Sequence, residues 1–207
     1  MPPPRIVLFD LDGALAETEN LHVGAWEQVF EQMGLDVPLD LCHRAATLDD
    51  EALLVEVLDR LKLREADAAG WVRAKREVAG RLFAETLKLD ADAAEVVRRL
   101  AGRARLGVVA TARAADVRAL LAREGLLDAF EVVAAGADMM AGVTTYRHAL
   151  NELGEPAVGA LAVVANEVGL AAAGESGLRT LLVGRGETGR VDLRDVGAVV
   201  EAIEGLK

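Results

Sequence analysis

The run Ile6-Val7-Leu8-Phe9-Asp10-Leu11-Asp12-Gly13 constrains this chain more than any other stretch. Four apolar residues between Pro4 and Gly13 and ending in an aspartate predict a short buried strand. The two aspartates, at i and i+2, then fall at the strand's carboxyl end, where open α/β sheets place their ligand crevices. Carboxylates crowded there repel each other and lose solvent, so they need a cation, a proton or a reaction to serve. Solvated acids at an ordinary strand end are the other reading of the same residues.

The rest of the chain supplies a sheet for that strand. Arg105–Ala110, Glu131–Ala135, Ala160–Ala165 and Arg179–Val183 are short apolar runs of strand type. Between them lie helical patterns, one with Val117, Leu120 and Leu121 on a face and a stop at Gly125, another with Tyr146, Leu150 and Leu153 and a stop at Gly154. A small-residue helix separates the last two strands. This βαβ alternation predicts an α/β fold, a Rossmann-like parallel five-stranded sheet flanked by helices.

Residues 17–88 interrupt the alternation with helical stretches near 17–33, 49–61 and 66–87 and no strand. Leu21, Ala25, Val29 and Met33 form an apolar stripe, widened by Trp26 and Phe30. The expected organisation is a core of 1–16 and 89–207 with an inserted helical cap of 17–88, and Asp90 placed to cap the helix that returns to the sheet.

With 207 residues, 52% apolar, the chain can bury a sizeable core. Its net charge of −11 argues against nucleic acid or an anionic membrane as partner. Cys42 is the only cysteine, so no internal disulfide forms, and the thiol reads as packing. The N-terminal residues lack the pattern of a signal peptide, and no apolar stretch reaches membrane-spanning length. A soluble, cytoplasmic protein is expected.

The layout and the Asp10-Leu11-Asp12-Gly13 motif resemble the haloacid dehalogenase superfamily, in its helical-cap subgroup of β-phosphoglucomutases and phosphoglycolate phosphatases. The stretch Glu17-Thr18-Glu19-Asn20-Leu21-His22-Val23-Gly24-Ala25-Trp26 carries the likeness into the cap. The resemblance implies a phosphatase or phosphomutase acting on a small phosphorylated metabolite. Asp10 would be the nucleophile that forms an aspartyl-phosphate, Asp12 the acid and base, and Thr111 the hydroxyl that binds phosphoryl oxygens. It implies Gly13, His22, Trp26, Ala112 and Arg113 as substrate-binding residues, and Mg2+ held by Asp10, Asp12 and Glu167. The backbone carbonyl of Asp12 would also face that metal. His22 is equally readable as a helix-face histidine.

Two later motifs depart from the family pattern. The lysine expected six residues before Tyr146 is Met140, and of the lysines Lys62, Lys75, Lys88 and Lys207 none lies between residues 89 and 206. The nearby bases, Arg113 and Arg147, do not substitute for an ammonium on that vector. The acidic pair expected after the 160–165 strand falls on Val164 and Ala165, followed by Asn166 and Glu167, and an asparagine oxygen is a weak magnesium ligand. Each lost contact to the transferring group costs about 3–4 kcal/mol, two to three decades in rate. The expectation is therefore impaired catalysis, with an inactive binding or regulatory protein of the same fold as the alternative. A 2-haloacid dehalogenase is disfavoured by Asp12 and by the missing lysine.

Two further features read as structural. Gly184-Arg185-Gly186-Glu187-Thr188-Gly189 matches G-x-G-x-x-G, but no helical pattern follows, so a turn is expected rather than a dinucleotide site. Lys75 and Arg76 read as a solvated helix face.

Overall fold

The computed structural model describes residues 4–46, 48, 50–63, 67–136 and 143–205. The chain divides into two compact units, Met1–Glu17 with Lys88–Lys207, and Thr18–Leu87.

The first unit is built on a parallel sheet of six strands: β1 (Ile6–Asp10), β2 (Arg105–Ala110), β3 (Val132–Ala135), β4 (Ala160–Val164), β5 (Arg179–Gly184) and β6 (Val191–Asp192). Their spatial order is β3-β2-β1-β4-β5-β6. The sixth strand is absent from the sequence expectation because two residues leave no periodicity to read. β1 is buried at every position and lies between β2 and β4, with Asp10 opposite Val109. The chain winds outward from β1 through β2 to one edge and from β4 to the other, so the order reverses between β1 and β4. A crevice opens beyond the carboxyl ends of strands at such a reversal.

Helices α5 (Ala91–Leu100), α6 (Ala114–Arg123), α7 (Val143–Leu153), α8 (Glu167–Glu175) and α9 (Val196–Gly205) belong to this unit. Ile6 and Leu8 pack on one sheet face with Tyr146, Ala149, Leu150 and Leu153 of α7 and Ala172 and Ala173 of α8. Phe9 points the other way, meeting Phe130 edge-on at 6.4 Å. Asp90 caps α5, its Oδ1 accepting the N–H groups of Asp92 and Ala93 at 2.9 Å each.

The second unit is all-helical: α1 (Glu19–Gln32), α2 (Leu39–Cys42), a 3-10 turn over His43–Ala46, α3 (Asp50–Leu61) and α4 (Ala68–Thr86). Its core joins Ala25, Trp26, Val29 and Phe30 of α1 to Leu53, Leu54 and Val57 of α3 and Val78 of α4. Trp26 and Phe30 stack at 5.1 Å. Met33 leaves the expected stripe: it caps the C-terminus of α1 and is 37% exposed. Cys42 is buried, and burial followed by the charges of Glu27 and Asp40 raises its thiol pKa, which disfavours the thiolate. No helix among the described residues is long and apolar enough to cross a membrane.

Candidate active site

β1 delivers Asp10 to the crevice on the face already lined by Ile6 and Leu8. The first turn of α8 closes over it: a Cβ on Gly169 would stand 2.6 Å from Asp10 Oδ2, so only glycine leaves room for the carboxylate. Burial, and then the charge of Asp12, pushes the Asp10 carboxyl well above the ordinary carboxylate range, while backbone N–H groups of Asp12 and Leu11 pull the other way. The Asp12 N–H reaches Asp10 Oδ1 at 3.3 Å.

Thr111 follows β2 directly, and its hydroxyl donates to Asp12 Oδ2 at 3.2 Å. The parallel register that sets Asp10 against Val109 carries both residues to the same end of the sheet. Gly13 turns the loop at φ +81, and a Cβ there would meet the Ala165 Cβ at 3.0 Å, so the β1 and β4 loops touch. Ala112 is half-buried in the β2 loop. Arg113 is turned elsewhere: its guanidinium, exposed, donates to both oxygens of Asp116 at 2.7 and 3.0 Å. Met140 lies outside the described residues.

The described residues do not fit a magnesium ion. Among the described residues no group of three or more His, Cys, Asp or Glu side chains is placed to hold a metal, and Glu167 is exposed at the start of α8 rather than joined to Asp10 and Asp12. Asn166 caps α8 instead: its Oδ1 accepts the Gly169 N–H at 2.8 Å, and its Nδ2 donates to the Asp12 carbonyl at 3.3 Å. Flipping the amide would set donor against donor at Gly169 and acceptor against acceptor at Asp12, so the two bonds fix its orientation.

Three participants escape sequence reasoning. Arg185 Nη1 donates to the Gly13 carbonyl at 3.0 Å, and the same guanidinium holds Asp90 at 3.1 Å and pairs with Glu17. Arg190 Nη1 donates to the Ala165 carbonyl at 2.7 Å. Both arginines sit in or beside the G-x-G-x-x-G run, which joins β5 to β6 without opening a helix. The third is Tyr146, buried, whose hydroxyl has no hydrogen-bond partner among the described residues. Burial and the charges of Asp10 and Asp12 push its ionisation far above the phenol range, so it stays a neutral donor.

In the helical unit, His22 and Trp26 of α1 meet a buried charge. Lys75 Nζ lies 2.8 Å from Asp50 Oδ1 and 3.0 Å from His22 Nδ1, and Trp26 Nε1 donates to the same Asp50 oxygen at 3.1 Å. Lys75 is thus not on a solvated face; it is 6% exposed, whereas Arg76 is exposed. The ammonium is a pure donor, so His22 presents a bare Nδ1 and carries its proton on Nε2.

Comparisons with known proteins identify the family. The sequence profile of the haloacid dehalogenase-like hydrolases matches residues 7–183. The chain is 32% identical over 191 residues to the protein CbbY of Rhodobacter capsulatus, covering 86% of this chain and 84% of that one. The crystal structure of CbbY from Rhodobacter sphaeroides in complex with phosphate superposes with a TM-score of 0.73 at 29% identity, over 94% of this chain and 96% of that one. A mutant of the same CbbY, in complex with xylulose-(1,5)bisphosphate, gives a TM-score of 0.71 at 29% identity, with 91% and 92% covered. The motif at β1, the parallel sheet and these likenesses establish that the chain belongs to the haloacid dehalogenase-like hydrolases.

Proposed function

We propose that the chain is a phosphatase-type member of that family directed at a small phosphorylated sugar, with strongly attenuated phosphoryl transfer. The observation that carries the reading is the pairing of Asp10, buried at the end of β1, with Asp12, which Thr111 holds from the end of β2 at 3.2 Å. An Asp10 oxygen would attack phosphorus as the bond to the leaving oxygen breaks, and Asp12 would pass a proton to that oxygen. Thr111 would donate to the phosphoryl oxygens. Water would then release phosphate from Asp10, with Asp12 taking its proton. Similarity to CbbY makes a sugar bisphosphate the substrate class to try first. Residues Thr18–Leu87 would act as the selectivity cap, and a phosphorylated metabolite as substrate would suit a cytoplasmic protein.

Attenuation follows from chemistry that is missing. No lysine occurs between residues 89 and 206, and the stretch 137–142 reads Ala-Asp-Met-Met-Ala-Gly, without a cationic side chain. That stretch of sequence therefore supplies no ammonium to offset the burial that raises the Asp10 carboxyl, and the carboxylate is the nucleophilic form. The same facts favour a second reading, in which the crevice binds its ligand and does not turn it over.

The test pairs binding with turnover. Inorganic phosphate and xylulose 1,5-bisphosphate should raise the melting temperature in proportion to the logarithm of their concentration. Slow hydrolysis of the bisphosphate, abolished by Asp10→Asn, supports the first reading; a thermal shift without hydrolysis supports the second. No shift and no hydrolysis would overturn both.

A further inference from the structure

We propose that the side-chain amide of Asn166 stands in permanently for a divalent cation at the Asp12 carbonyl, so that this crevice operates without metal. The inference rests on the reading of the β1–β4 crevice as the phosphate site and concerns what that site needs.

Three features carry it. Asn166 Nδ2 donates to the Asp12 carbonyl at 3.3 Å, which places an N–H where an electron-pair acceptor would have to sit. The amide cannot turn away cheaply, because its Oδ1 accepts the Gly169 N–H at 2.8 Å and so begins α8. Finally, the residue before it is Ala165, whose Cβ packs toward Gly13 and whose carbonyl is taken by Arg190 at 2.7 Å. The neighbouring position thus offers no oxygen either. A hard cation requires several oxygen ligands in near-octahedral array, and here the Asp12 and Ala165 carbonyls each already accept a side-chain N–H.

Replacing one atom group should reverse this. Asn166→Asp keeps the oxygen that caps Gly169 and converts the donor facing Asp12 into an acceptor. Two acceptors then face each other beside Asp10, an arrangement that is unfavourable until a cation enters.

The experiment is a titration of Mn2+ followed by electron paramagnetic resonance, on the wild type and on Asn166→Asp, alongside melting curves with Mg2+ or with chelator. For the wild type, all Mn2+ should stay free to millimolar concentration, and the thermal shift given by inorganic phosphate should be the same with chelator as with Mg2+. Asn166→Asp should bind Mn2+ at least about tenfold more tightly, and its melting temperature should become Mg2+-dependent. Stoichiometric Mn2+ binding by the wild type, removed by Asp10→Asn, would overturn the proposal. So would a phosphate shift that appears only with Mg2+, although that result would support the phosphate reading itself. If phosphate gives no shift at all, the phosphate reading falls, and the Mn2+ titration of the wild type still decides this one. Should Asn166→Asp fail to fold, the wild-type arms decide alone.

Discussion

Arg185 Nη1 bonds the carbonyl of Gly13 at 3.0 Å, joining two residues 172 apart in sequence. Gly13 ends the nucleophile loop, and the same guanidinium holds Asp90 and Glu17. One side chain therefore ties the β5–β6 loop to the loop that carries the aspartates and to the segments where the chain leaves the sheet unit and returns to it. Arg185→Ala should cost about 1–3 kcal/mol in urea denaturation, since it strips a part-buried carbonyl and two carboxylates of a donor. Arg185→Lys should recover only part, because an ammonium cannot reproduce the fork. An Arg185→Ala protein as stable as wild type would show the clasp to be incidental.

This clasp explains why part of the site was illegible in the sequence. Asp10, Asp12 and Thr111 announce themselves because each lies at or just past the end of a strand whose apolar run is readable alone. Arg185 and Arg190 act on backbone carbonyls, and a carbonyl has no residue type to recognise. Their run matched a nucleotide fingerprint, and only the absence of a following helix spoke against it. Lys75 misled for a related reason: a lysine beside an arginine on a helix looks solvated until Asp50 and His22, from other helices, are brought to it. The sheet was legible except for β6, held by two residues.

Tyr146→Phe should leave stability unchanged or raise it slightly. The hydroxyl is buried without a partner among the described residues, and a desolvated, unpaired polar group costs about 1–3 kcal/mol. Thermal melts of the two proteins without ligand measure this directly. A clear loss on removing the hydroxyl would mean that it has a structural partner.

The buried charge of the helical unit should be costly to break and cheap to replace as a pair. Among the described residues, Lys75→Ala leaves Asp50 with only the Trp26 indole, and it should destabilise by about 2–4 kcal/mol. Lys75→Met with Asp50→Leu should recover much of that loss, because two desolvated charges disappear together. A double-mutant cycle by chemical denaturation yields the coupling; a value near zero would mean that the contact is solvent-screened after all.

Asp10 makes stability depend on pH in a defined direction. Its carboxyl is held above the ordinary range in the fold, mainly by burial and then by Asp12. Between the unfolded value, about 3.9, and the raised folded value, the native state binds more protons than the unfolded state. Stability from this group therefore falls as pH rises through that window. Asp10→Asn should raise the melting temperature at pH 7, and the gain should shrink to nothing below about pH 4, where the aspartate is protonated in both states. A gain that is constant across pH would mean that ionisation of Asp10 is not its source.

Restoring the two departures from the family pattern should restore chemistry. Met140→Lys returns an ammonium six residues before Tyr146, and Ala165→Asp returns a carboxylate beside the Asp12 loop. The new carboxylate starts from a Cβ that lies 3.0 Å from where a Cβ on Gly13 would stand, so glycine at 13 is what admits it. Either change alone supplies one charge where the family pattern has two: the lysine favours the ionised form of Asp10, while the carboxylate must draw in Mg2+ against the Asn166 amide at the Asp12 carbonyl. Each recovered contact is worth about two to three decades in rate. The double variant should therefore hydrolyse p-nitrophenyl phosphate with Mg2+ at least about a hundredfold faster than wild type. Adding Asp10→Asn must erase the gain, since the new charges act only through that nucleophile. If the double variant folds and gains nothing, positions 140 and 165 are not where the lysine and the carboxylate were lost.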